Sequence, residues 1–198
     1  MDELELIVQR HVINFCKILP VHVEKWRTIL VDLVKPSSAL CNYSEQVRHI
    51  ERCNIKYIDG FSALQQDLLY KIFTEIEDEM SSINGLREQL NKINQDTRNK
   101  LSVLERSSID LNWDNNSQLI VGSALQPPLS RILQDGYNFC LFFSEAIQSI
   151  NEHCKTLNIR DEKLMNAFKD SLSISLEVPV ITNLLAVTQY VNNEKLLV

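Results

Sequence analysis

The sequence predicts an all-α protein, and three of its features carry that reading. Apolar side chains recur at steps of three and four along most of the chain, the period of a helix with one buried face. Four glycines and five prolines in 198 residues are few for the turns that a sheet protein needs. The pattern also runs without a proline from Phe61 to about Ile109, far longer than a strand. The expected architecture is an elongated antiparallel helical bundle with one long central helix hairpin and short flanking helices. Residues 1–198 read as a single helical domain, with N-terminal helices over 1–53, the hairpin over 61–155 and C-terminal helices over 161–198. An apolar fraction of 44% is enough to fill its core.

Residues 3–19 place Leu4, Ile7, Val8, Val12, Phe15, Cys16 and Leu19 on one face, and Pro20 interrupts. Val23, Trp26, Ile29, Leu30 and Leu33 repeat the pattern in a second helix, stopped by Pro36. Ser37 or Ser38 then caps a third helix to about Cys53, with Leu40, Tyr43, Val47 and Ile50 inward. Residues 54–60 form a connector. From Phe61 the inward positions include Leu64, Leu68, Ile72, Ile76, Met80, Ile83, Leu86, Leu90, Ile93, Thr97, Leu101 and Leu104. A helix of about 45 residues is roughly 70 Å long and needs company along its flank. Ile83 to Thr97 keep a 3,4,3,4 rhythm, a short coiled-coil-like stretch, with Gly85 a candidate kink at its edge. Residues 107–128 are rich in Asn, Ser and Asp and end in Pro127-Pro128, so they read as the hairpin turn, with a short extended piece at 119–121. An aromatic helix follows from Leu129 to about Lys155, and two short helices, 161–172 and 180–191, flank Pro179.

The net charge of −6 comes from 26 acidic and 20 basic residues that are interspersed, so the basic face of a duplex-binding protein is missing. Direct nucleic-acid binding is disfavoured. The amino terminus carries acids where a secretory signal would be basic, and no apolar run approaches the roughly 20 residues that span a bilayer. The chain reads as soluble and intracellular, without a membrane partner. Cys16, Cys41, Cys53, Cys140 and Cys154 are odd in number and never spaced as Cys-x-x-Cys, which suggests neither a disulfide framework nor a zinc site.

Catalytic chemistry finds little support. His11, His22, His49 and His153 are scattered, and His153 beside Cys154 fails as a nucleophile pair because adjacent helical positions point about 100° apart. Glu75 and Glu79 share a helical face, but a di-iron bundle also needs Glu-x-x-His pairs, which the chain lacks, so a solvated acidic face is expected and no metal. There is no phosphate-binding glycine loop, hence no nucleotide and no cofactor. Trp26 lies on an apolar stripe and is expected to anchor the core. Trp113 sits in the polar turn, where it is either a partner-contacting hot spot or a plug beneath the loop.

Trp26 with Leu30 and Asp32, followed by Ser38-x-Leu40-x-Asn42-x-x-Glu45-Gln46, resembles the AIRIM family, ribosome maturation factors that associate with Cdc48-like AAA+ ATPases. Three further pieces agree in order: Phe61-x-x-Leu64-x-x-x-Leu68-x-x-Lys71, Ser123-Ala124-x-x-Pro127, and Asn183-Leu184-Leu185 leading to Tyr190 and Glu194. The helix after the second of these is neutral and aromatic, YNFCLFF, where the family is basic. The resemblance implies a non-enzymatic helical subunit. It would pair with a small helical partner protein and help AAA+ ATPase subunits act on pre-60S particles in the nucleus and cytoplasm.

The leading expectation is therefore an adaptor of an AAA+ ATPase complex in 60S maturation. Its warrant in the residues is an apolar rod between Phe61 and Leu104 too large for short neighbours to cover, with Leu86, Leu90, Ile93 and Leu101 as the partner contacts. A coiled-coil structural subunit of a cytoskeletal, kinetochore or cell-cycle assembly is the alternative, though its heptad lasts only about two repeats. A hydrolase using His153 or Cys154 ranks last.

Overall fold

The computed structural model describes residues 3–53 and 59–191, and among these every regular element is a helix. In chain order they are α1 (Glu3–Arg52), α2 (Phe61–Ser107), α3 (Gln118–Val121), α4 (Leu129–Lys155), α5 (Glu162–Ser171) and α6 (Pro179–Thr188). The all-α bundle expected from the sequence is what forms. Residues 54–58 of the connector, and Glu194 of the family resemblance, lie outside the described residues.

The N-terminal region differs from expectation, because α1 is one helix of 50 residues rather than three separated by Pro20 and Pro36. A proline inside a helix deletes a backbone hydrogen bond and presses its ring on the carbonyl four residues back, a cost of about 3 kcal/mol. The helix continues because its buried stripe keeps phase through both sites. Leu19, Val23 and Trp26 are buried around Pro20, and Leu33, Ser37 and Leu40 around Pro36. Burying each large apolar side chain is worth about 1.5–3 kcal/mol, so losing that register would exceed the penalty. Ser37, expected to cap a new helix, instead turns its hydroxyl back to the Val34 carbonyl at 3.1 Å.

The extended piece expected at 119–121 is also a correction, since these residues lie in the single helical turn of α3. The amides of Ile120 and Val121 both donate to the Ser117 carbonyl, at 3.1 and 2.9 Å, and Leu119 is buried. Closing the turn satisfies more backbone than an isolated strand with no neighbour. Gly122 ends it at φ +89°, and a Cβ there would stand 2.8 Å from the Pro128 ring, so only glycine fits before the proline pair.

The chain divides into two compact units, and α1, α2 and α4 each contribute to both. The first comprises Met1–Arg27, Asn91–Glu145 and Ser175–Val198. In it the α1 segment runs antiparallel to the α2 segment, with His22 against Thr97 and Trp26 against Asn94. Gly136 sets how closely α4 approaches, since a Cβ would fall 2.8 Å from the Phe15 ring and 3.2 Å from Leu101 Cδ1. α6, begun by Pro179 with its fixed φ, buries Ile181 and Leu184.

The second unit comprises Thr28–Leu90 and Ala146–Ile174. Its core is mostly aliphatic: Ile29, Leu33, Leu40 and Val47 from α1, Ile72, Ile76, Ile83 and Leu90 from α2, and Ile147 and Ile150 from α4. α5 adds Met165 and Phe168, its start fixed by Asp161, whose carboxylate accepts from the Lys163 and Leu164 amides at 2.9 and 3.2 Å. The Gln65 amide donates to the Ile50 and Cys53 carbonyls, answering the unpaired acceptors at the end of α1.

Candidate interaction surface

His22, Thr97 and Asn94, buried in the first unit, serve the fold. The Trp26 indole donates to Asn94 Oδ1 at 2.8 Å, and Asn94 Nδ2 donates to the Phe143 carbonyl at 2.9 Å, so one asparagine ties three helices. His22 lies in the same aromatic box, 4.3 Å from the Phe143 ring and 5.1 Å from Phe139. Its Nδ1 is 2.7 Å from Thr97 Oγ1, whose single proton goes to the Ile93 carbonyl at 3.2 Å. Nδ1 must therefore carry the proton and donate, and Nε2, which has no partner, is a lone pair rather than a stranded N–H. Burial, opposed by the Ile93 carbonyl and reinforced by Lys25, holds His22 down at about 4, and it stays neutral in ordinary buffers.

The neutral, aromatic run of α4 thus has a structural use. Phe139 and Phe143 fill the box, while Tyr137 and Leu141 face outward. Trp26 occupies the core position expected of it.

His153 Nδ1 is 2.8 Å from the Ser149 carbonyl of its own helix, and burial pushes the neighbouring Cys154 thiol up against the opposing influence of Arg87. Cys16 is pushed up to about 12 and Cys140 to about 11, again by burial, so neither is a thiolate at neutral pH. Among the described residues no group of three or more His, Cys, Asp or Glu is placed to hold a metal ion. No helix of the described residues is long and apolar enough to cross a membrane.

The residues expected to meet a partner occupy unlike positions. Leu90 and Leu101 are 0% and 4% exposed, covered by this chain's own core. Leu86 belongs to the second unit and Ile93 to the first, and both are half-buried. Trp113 is 42% exposed.

Other apolar side chains stand out from the surface. In the second unit Leu64, Leu68 and Tyr70 are 66%, 45% and 75% exposed, and Val31 and Val34 are open on α1. The core positions of that part of α2 are instead half-buried Gln65 and Leu69, then buried Ile72 and Ile76. The step of four from Leu64 to Leu68 forms a second stripe beside the core stripe. Its signal was present in the sequence as the doublet Leu68-Leu69, since adjacent positions cannot share one face.

Among curated proteins none matches the chain. A family model described as CA109-like, ribosome biogenesis protein C1orf109-like, matches residues 6–190, and this is the AIRIM family that the four motifs resemble. A match over nearly the whole length, joined to motifs distributed across it, places this chain in the C1orf109-like family of ribosome biogenesis proteins.

Proposed function

We propose that the chain is a non-enzymatic adaptor subunit of an AAA+ ATPase complex that matures the large ribosomal subunit. It pairs with a second small helical protein, and the composite surface docks on the ATPase, which acts on pre-60S particles in the nucleus and cytoplasm. Membership of a ribosome biogenesis family supports the setting. The observation that supports the adaptor role is the outward stripe of Leu64 and Leu68, with Tyr70 beside it. These two leucines belong to a piece by which the chain resembles its family, yet they contribute little to its own core. Single exposed apolar residues are ordinary, but a leucine pair one turn apart on an otherwise polar face is a protein-binding feature.

Because Leu90 is wholly buried, charging it would unfold the chain before it tested any docking. The cleaner test charges the outward pair. Tagged chain is expressed in cells and purified with its associates, as wild type and as the double variant Leu64→Asp, Leu68→Asp. The wild type should carry an AAA+ ATPase, one small helical protein and 60S precursors. The double variant should lose the first two, while its own stability changes by less than about 1 kcal/mol. A folded double variant that keeps both partners sinks the surface, and a wild type that brings down no AAA+ ATPase sinks the adaptor reading.

A further inference from the structure

A cavity of about 390 Å³ in the first unit is lined by Glu5 and Gln9 of α1, by Asn116 to Leu119, and by Ser123 and Gln126. Its floor is buried and its rim is open: Glu5, Leu119 and Gln126 are buried, whereas Asn116, Gln118 and Ser123 are exposed. Glu5 is only 5% exposed, and among the described residues its carboxylate receives one neutral donor, the Asn115 side-chain amide at 2.9 Å. No ion pair of Glu5 is found among the described residues.

A carboxylate this covered by protein ordinarily has a cation beside it or several N–H donors on it. The helix dipole does not demand the arrangement, since Glu3 in the same first turn serves it from an exposed position. The neighbours of Glu5 add acceptors. Gln9 and Gln126 pair through reciprocal amide bonds at 2.6 and 3.1 Å, which fixes both carboxamide planes at the wall. The Ser117 hydroxyl is shielded from solvent and has no hydrogen-bond partner, and although Ser117 precedes α3 it makes no capping bond. Its hydrogen-bonding capacity is thus unused by the fold.

We infer that this cavity receives an arginine side chain of a basic polypeptide, with the guanidinium on the Glu5 carboxylate. Guanidinium offers five donors in a planar fork, suited to acceptors spread over a carboxylate, two fixed carboxamides and a free hydroxyl. A compact ammonium would reach fewer of them. The acidic balance of the chain favours approach of a basic partner, and a carboxylate floor rejects the phosphates of RNA. This site is independent of the adaptor reading, which rests on other residues in the other unit.

The test uses the isolated full chain and two capped peptides of alternating glycine and arginine, one natural and one with citrulline at every arginine. Calorimetry should show saturable binding of the arginine peptide and none of the citrulline peptide. Glu5→Gln should weaken binding at least tenfold. Asn116→Arg, on the exposed rim, should do the same by placing a guanidinium of the chain itself at the mouth without touching the floor. Asp96→Asn, an exposed charge elsewhere in the unit, should leave affinity unchanged. The inference is overturned if the wild type does not bind, if citrulline binds equally, if Asn116→Arg binds like the wild type, or if Asp96→Asn costs as much as Glu5→Gln.

Discussion

The two units are built from segments of the same three long helices, yet they reach stability differently. The first packs Phe15, Trp26, Phe139 and Phe143 around a polar thread of His22, Thr97 and Asn94. The second buries a mostly aliphatic core with short local polar ties: buried Ser44 donates to the Ile159 carbonyl, and at the surface Arg160 forks onto Glu51 at 2.8–3.1 Å with its guanidinium 5.6 Å over the Phe73 ring. A buried polar thread admits one arrangement of partners, whereas aliphatic contacts are non-directional and tolerate repacking. The difference teaches that the first unit is the register-setting part, and that the second is freer to present apolar side chains outward.

The largest effect is expected where that thread meets the aromatic box. Phe143 is fully buried against His22, Trp26 and Phe139, with ring centroids at 4.3, 4.9 and 4.8 Å. Phe143→Ala should cost about 3–5 kcal/mol. Both tryptophans of the chain lie in the first unit, so urea unfolding followed by tryptophan fluorescence reads this unit alone. A loss below about 1 kcal/mol would mean that the box is loosely packed and that the contrast between the units is false.

Acid should single out the same unit. His22 is held at about 4 when folded and returns to about 6.5 when unfolded. The unfolded chain therefore binds the extra proton first, and stability falls as pH drops from 6.5 toward 4. At about 1.4 kcal/mol per pH unit the whole window amounts to about 3 kcal/mol. Lys25 is the charged group acting on His22. His22→Phe should remove this part of the pH dependence, since the ring remains and the titration goes. Equal slopes in wild type and variant between pH 6.5 and 4 would show that His22 is not the group being charged.

How much of this was legible in the sequence depends on which physical rule had a competitor. The stripe of α1 was readable: Val8, Val12, Phe15, Leu19, Val23, Trp26, Ile29, Leu33, Leu40 and Val47 keep helical phase across both prolines. Taking each proline as a boundary gave a local penalty precedence over a register that tertiary packing enforces. The length of α2 and the span of α4 were plain because no proline interrupts either. Partner contacts were harder, since a helix pattern marks which residues are apolar but not which of two stripes meets this chain's own core. Leu90 and Leu64 look alike in sequence, and one is wholly buried while the other is largely open. The Glu5 cavity left no signal, for it joins α1 to residues more than a hundred positions away.

Two glycines give the smallest and sharpest comparison, because one substitution should act in opposite directions. Gly136 in the first unit leaves no room, and the Cβ of Gly136→Ala would sit 2.8 Å from the Phe15 ring, so overpacking should cost about 1–3 kcal/mol. Gly85 in the second unit is exposed inside α2, with nothing within 4 Å of a Cβ built there. Gly85→Ala should stabilise the isolated chain by about 0.5–1 kcal/mol, because alanine leaves the unfolded chain fewer conformations to lose and needs no displacement in the helix. Thermal unfolding of both variants by circular dichroism separates the cases. If Gly85→Ala lowers the midpoint instead, α2 departs there from ideal helix geometry, and the kink that the sequence suggested at this residue belongs to the second unit's core.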